Sequence, residues 1–130
     1  MTAPIRTIET TNSALCAFEI TDRVERHEVT AIAEAVNAAT REGRVNLLVI
    51  ARGAAAQQGR EIDAWLRRRI EQPQRCCRYA MVADRPGGAV GSLWPRWFAA
   101  HEEARAWAFV EGSPAQAPGA ISTNDLSLVG

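Results

Sequence analysis

Residues 45–50, Val-Asn-Leu-Leu-Val-Ile, form a short and nearly unbroken apolar run rich in branched side chains. Six residues are too few for a buried helix, which takes about 10–12, and strict alternation of apolar and polar residues is missing. A run of this kind is a strand covered on both faces, the signature of the interior of a parallel sheet. Parallel neighbours cannot be joined by tight turns. They need crossover connections, normally helices, so this one segment already predicts an α/β domain.

The flanking sequence supplies the helices and further strands. Residues 5–10 alternate as a half-buried strand does, Thr11-Asn12-Ser13 is a turn cluster, and 15–20 is a second strand with Cys16, Phe18 and Ile20 inward. Two strands so close predict an N-terminal hairpin. A helix follows, capped by Asp22 with Glu25, with Val29, Ile32, Ala33, Val36 and Ala39 on one stripe and Gly43 as its stop. After residues 45–50 and a loop over 52–59, or a loop leading into a frayed turn, the spacing predicts a second helix over 60–71, with Ile62, Trp65, Leu66 and Ile70 inward and Pro73 beyond its end. A strand over 77–82 comes next. Ser92 caps a predicted third helix that places Trp94, Trp97, Phe98 and His101 on one side, and 105–110 reads as the last strand. The prediction is a four- to five-stranded, mostly parallel sheet begun by a hairpin, wound as a right-handed β-α superhelix by the crossover rule. Residues 1–112 form the domain and 113–130, with Pro114 and Pro118, an irregular tail that includes an extended piece at 126–129.

Composition removes several functions. The 130 residues carry 15 basic and 15 acidic groups, so no net charge draws the chain to nucleic acid. Every basic residue is arginine. Without lysine there is no Schiff-base chemistry and no Walker-type phosphate site. Gly87-Gly88-Ala89-Val90-Gly91 lacks the dinucleotide-binding spacing and reads as a loop. Cys16, Cys76 and Cys77 are odd in number and lack metal-ligand spacing, which predicts a reducing, cytoplasmic setting, packing roles, no metal and no cofactor. No leader pattern opens the sequence, and no apolar run approaches the roughly 20 residues that span a bilayer.

Two features have functional content. Between residues 60 and 96 eight arginines face Glu61, Asp63, Glu71 and Asp84, a local excess of four. Arg67-Arg68-Arg69 cannot all point inward, so Arg67 and Arg68 are candidates for contact with an anionic patch. The alternative is a solvated face with an Asp63–Arg67 pair one turn apart. The second feature is the aromatic segment. Leu93, Trp94, Trp97 and Phe98, flanked by Arg85 and Arg96, put more bulk into two helical turns than one buried stripe hides. The surplus would line a pocket, a homodimer contact or a membrane interface, against the plainer reading that it is core.

The layout resembles the STAS superfamily, and more particularly its SpoIIAA-like branch of uncharacterised bacterial proteins, over residues 5–112. The likeness lies in Arg41-Glu42-Gly43-Arg44-Val45-Asn46-Leu47-Leu48-Val49-Ile50, where helix, glycine and central strand follow in the family's rhythm. Tyr79-Ala80-Met81-Val82-Ala83-Asp84 is similar to the family's next strand, and Trp97-Phe98 and Ala104-Arg105-Ala106-Trp107-Ala108-Phe109 are similar to its aromatic helix and last strand. Anti-anti-sigma factors of the superfamily carry a phosphorylatable serine after the central strand; Gly53-Ala54-Ala55-Ala56-Gln57-Gln58-Gly59 holds none, so that switch does not carry over. The family usually ends in a helix after its last strand, and the proline-containing tail does not read as one. The resemblance implies a non-enzymatic interaction domain that engages a protein partner, a small apolar ligand or an anionic membrane surface. The competing expectation is a small enzyme with His27 or His101 as general base, each beside a carboxylate.

Overall fold

The computed structural model describes residues 4–84 and 95–111. Its centre is a five-stranded sheet in the order β1-β2-β3-β4-β5. Strands β1 (Ile5–Ile8) and β2 (Leu15–Ile20) form the antiparallel hairpin; β3 (Val45–Ala51), β4 (Cys76–Val82) and β5 (Arg96–Phe98) each lie parallel to the strand before. Every residue of β3 is buried, and it has parallel neighbours on both sides, as its composition requires.

Helices α1 (Arg26–Glu42) and α2 (Gly59–Arg69) make the β2–β3 and β3–β4 crossovers. The chain steps across the sheet in the same direction each time, so a constant hand of connection puts both helices on one face. There Val29, Ile32, Ala33 and Val36 of α1 and Ile62 and Leu66 of α2 cover Phe18, Ile20, Leu47, Val49, Tyr79 and Met81. The opposite face, with Leu15, Ala17, Leu48, Ile50, Ala80, Val82 and Phe98, is covered by Ala106 and Val110 of α3 (Glu103–Val110). The result is a three-layer sandwich with unequal outer layers.

Three assignments differ from what the sequence predicts. Glu25, not Asp22, is the N-cap of α1: Glu28 Oε1 accepts the Glu25 backbone N–H at 2.9 Å, while Asp22 spends its carboxylate on the next amide, that of Arg23. The loop after β3 does lead into a turn, the 3₁₀ turn Gly53–Gln58 that runs into α2, as one of the two expectations for it has it. The larger corrections lie near the C-terminus. The predicted third helix is overturned where it is described, because Arg96–Phe98 is β5. The predicted strand over 105–110 is helix α3, and so a helix does follow the last strand. Small and large residues alternate there by composition, but the buried pair is Ala106 and Val110, four apart, as on a helix. Alanines at 104, 106 and 108 favour that outcome, and Glu102 Oε1 accepting the Ala99 N–H at 2.9 Å starts the turn (Ala100–Glu102) that leads into it. Arg85, Ser92, Leu93, Trp94, the glycine-rich loop and the tail lie outside the described residues.

Asn46 and Arg78 hold α3 in place. At Asn46 the β3–β4 register shifts, pairing Val45 with Cys76 but Asn46 with Arg78. The Asn46 side chain accepts the Arg78 backbone N–H at 3.1 Å and donates to the Val110 carbonyl at 2.7 Å. Arg78 Nη1 donates to the Phe109 carbonyl at 2.9 Å. Two of the carbonyls that a helix end leaves without intrahelical partners are thus bound by sheet side chains.

Candidate functional site

The described aromatics of the segment, Trp97 and Phe98, do not share one surface. Trp97 and Phe98 are successive residues of a strand, so they point to opposite faces. Trp97 packs against the α1–α2 side, where a Cβ on Gly59 would stand 3.1 Å from its ring, so a larger residue there would require the ring to give by a few tenths of an ångström. Phe98 is buried on the α3 side. Arg96 shares that side: its guanidinium lies 5.8 Å from the centre of the Phe98 ring and 5.4 Å from that of Phe109. Arg78 lies 5.5 Å from Phe109 as well. These arginines and aromatics lock α3 to the sheet. His101, far from sharing their side, is exposed in the turn before α3.

The arginine patch resolves toward the solvated reading for one member. Arg67 Nε is bonded to both carboxylate oxygens of Asp63, at 3.1 and 2.9 Å, whereas Arg68 and Arg69 are exposed. Asp63 is buried at the base of α2, beside the Tyr79 hydroxyl. Desolvation pushes its carboxyl up, against the opposing pull of Arg67. The three cysteines are free thiols. Burial, reinforced by the neighbouring Cys16 and Cys77, pushes Cys76 up to about 12, and burial raises Cys16 too; thiolate chemistry is disfavoured at both. His27 is exposed, 3.8 Å from Glu25. Among the described residues, no three His, Cys, Asp or Glu side chains gather as a metal ion would need. No described helix is long and apolar enough to cross a membrane.

Open α/β sheets commonly bind ligands beyond the carboxyl ends of their parallel strands. Among the described residues, the β2 and β3 ends of that rim are tied together. The Gln58 amide, buried, accepts the Val24 N–H and donates to the Val24 carbonyl, both at 2.9 Å. Gly53, at φ 57°, sits where a Cβ would be 2.9 Å from the Thr21 carbonyl oxygen, which glycine alone accommodates. Four charged groups form one chain there: Glu19 pairs with Arg6 at 2.6 Å and with Arg52, which reaches Glu103 of α3 at 2.8 Å. The sequence reading missed this chain of charges, whose members lie far apart in sequence; only the cross-strand register of Arg6 with Glu19 brings the first pair together.

Hydrogen bonds from Arg6 and then Arg52 hold the Glu19 carboxyl below its ordinary value of 4.5. A carboxyl lowered by folding adds stability that is complete above the ordinary value and is lost as the pH falls through the folded one. Asp63 has the opposite sign: its raised carboxyl favours the fold most when protonated and less as the pH rises through its folded value. Glu19→Gln is therefore expected to flatten the loss of stability below the carboxylate range. Urea unfolding at about pH 7 and about pH 3, wild type against variant, checks it.

Among the described residues, an open concavity lies between the edge strand β1 and α1. It has a volume of about 370 Å³ and is lined by Ile5, Thr7 and Phe18 from the hairpin and by Glu28, Ala31, Ile32 and Ala35 from α1, with Pro4 at its end. Phe18 and Ile32 belong to the core, while Ala31 and Ala35 are exposed. The groove exists because α1 presents alanine toward β1: its side chains stop at Cβ, short of a strand that nothing else in the described structure covers. Of these residues, the sequence marked Phe18 and Ile32 as core and none as part of a site. Alanines on the outer side of a helical stripe and a four-residue strand have no pattern of their own. A scan against protein-family models and searches of curated proteins and of solved structures find no match to this chain.

Proposed function

We propose that this chain is a non-enzymatic binding domain of the SpoIIAA-like kind within the STAS superfamily, and that its working surface is the β1–α1 groove. The observation that carries the proposal is the groove itself: an apolar cleft of about 370 Å³ open to solvent, in the size range of about 300–1,000 Å³ usual for binding sites. The family reading is supported by the hairpin followed by parallel strands in sequence order, and by α3 after the last strand. The absence of serine and threonine from the turn at Gly53–Gln58 still separates it from the phosphorylation-switched members. The histidines lend the enzymatic alternative little support, since His27 and His101 stand exposed on different elements. The reading keeps a protein partner or an apolar ligand as occupant and a cytoplasmic setting.

Ala35→Trp tests it. Ala35 is exposed, so an indole there fills the cleft without entering the core, and stability is expected to stay within about 0.5 kcal/mol of wild type. Titration with an apolar fluorescent probe such as anilinonaphthalene sulfonate, followed by amide and methyl resonances, is expected to shift Ile5, Ala31, Ile32 and Ala35 in the wild type. The variant is expected to lose those shifts. Probe binding that leaves the four residues unmoved would remove the groove as the working surface.

A further inference from the structure

We infer that the groove receives an extended segment of a partner protein as an added strand on β1, with apolar side chains at alternate positions and a basic residue facing Glu28. The inference rests on the reading of the groove as the working surface and names what it holds.

The backbone of β1 is the first reason. Antiparallel pairs alternate between positions that exchange hydrogen bonds and positions that do not. The Thr21 N–H donates to the Pro4 carbonyl at 2.9 Å, so Pro4–Thr21 is a bonded position. In the register Ile5↔Ile20, Arg6↔Glu19, Thr7↔Phe18, Ile8↔Ala17, the bonded positions are then Arg6 and Ile8. Ile5 and Thr7 turn their N–H and C=O groups away from β2, to the outer edge of the sheet, where no described strand pairs with them. These same two residues line the groove. A strand added at this edge meets two donors and two acceptors in a row, and its side chains on the α1 face drop into the cleft. Main-chain bonds of this kind supply affinity, and pockets for alternate side chains supply specificity.

The side chains point the same way. Exposed edge strands are usually blunted by charge turned outward. Here the charged member, Arg6, is drawn to Glu19 on the other face of the sheet, and Ile8 packs there as well. The face toward α1 is left to Ile5 and Thr7. Across the cleft Ala31 and Ala35 offer a shallow apolar wall over Ile32 and Phe18, which suits aliphatic side chains. Glu28 is the one charged residue of the lining. Its Oε1 accepts the Glu25 N–H, and its second oxygen is the one a cation in the cleft would meet. A partner strand that is basic at that end is complementary, and an acidic one is repelled.

The test uses the full chain and a positional-scanning library of capped hexapeptides, with binding read from amide resonances and hydrogen exchange. The expected result is selection of aliphatic residues at alternate positions and of arginine or lysine next to Glu28. The best peptide should slow exchange at the Ile5 and Thr7 amides by at least about tenfold, and lose at least about tenfold in affinity when N-methylated at the residues facing them. Thr7→Pro removes an outward N–H without touching the β2 ladder, so the fold should persist and peptide binding fail. Glu28→Gln should erase the preference for a basic residue. If apolar probes bind the groove but no peptide saturates below about 1 mM, strand addition is overturned and the groove reading survives. Equal binding of the N-methylated peptide overturns it in the same way. Ile5 and Thr7 amides already protected without peptide would mean that the edge is covered by another part of the chain or by a second copy, which also overturns it. If neither probes nor peptides reach the groove, both readings fall.

Discussion

Leu48→Ala is expected to destabilise the domain by about 2–5 kcal/mol, with the true value toward the upper end. Leu48 is fully buried on the α3 face of β3. Its partners across the sheet are Ala17 on β2 and Ala80 on β4, so the leucine fills the width of three strands on that face. Neither alanine can extend into the space it leaves, and α3 is held by its own hydrogen bonds to Asn46 and Arg78. A site that cannot collapse retains its cavity, and the cost of truncation grows with the cavity that remains. Urea unfolding by circular dichroism checks the value. Ala38→Ser, on the exposed face of α1, serves as the control and should move stability by no more than about 0.5 kcal/mol.

The part of the fold around Leu48 was legible because burial on both faces writes itself into composition. The run in β3 has no alternation to misread, and Gly43 and Pro73 mark helix ends that sterics enforce. The core stripe of α1, Val29, Ile32, Ala33 and Val36, was legible by its spacing, as were Ile62 and Leu66 on α2. Legibility failed where an element is too short to show a period. Three residues, Arg96–Phe98, form β5, and Trp97 and Phe98 look alike to any count of aromatic bulk although they serve opposite faces. In α3 the alternation of small and large residues imitates a strand. What decides for helix is the capping at Ala99 and Glu102 and the docking of Ala106 and Val110, a tertiary contact invisible to a local window.

The candidate site was less legible than the fold, for a different reason. The sequence reading looked for surplus: too many aromatics, too many arginines. Trp97 and Phe98 pack on opposite faces of the sheet, Arg96 lies over Phe98 and Phe109, and Arg67 is paired with Asp63. The groove is instead a deficit, made by alanines at 31 and 35 and by a short strand with an open edge. Only the register of β1 on β2 tells which of its backbone groups face outward, and register depends on the whole sheet.

Asn46→Leu is expected to cost about as much as the Leu48 truncation, roughly 2–5 kcal/mol, although leucine fits the volume and is more apolar. Asn46 is buried in the middle of the sheet, the one polar residue in the run that defines β3. Its amide satisfies the Arg78 N–H, displaced from the regular ladder by the register shift, and the Val110 carbonyl at the end of α3. Leucine leaves both unpaired in the interior, at about 1–3 kcal/mol for each group. The loss should be uneven: exchange at the α3 amides should rise more than exchange at β2 or β3, because α3 is the element released. Asn46→Asp separates the two bonds. Its carboxylate still accepts from Arg78 but faces the Val110 carbonyl with no proton to donate, and burial in that position raises its pKa above the unfolded value. A carboxyl raised by folding contributes most below its unfolded pKa and loses that contribution as the pH rises through the folded one, so the Asp variant should recover stability relative to wild type on acidification. Unfolding of the Asp and Leu variants from about pH 7 to about pH 4 checks this: the gap between Asp and wild type should narrow with acid while the gap for Leu stays constant. Equal pH dependence in both variants would mean that the Val110 bond does not hold α3, and that the aromatic and arginine contacts of Phe109 carry the attachment alone.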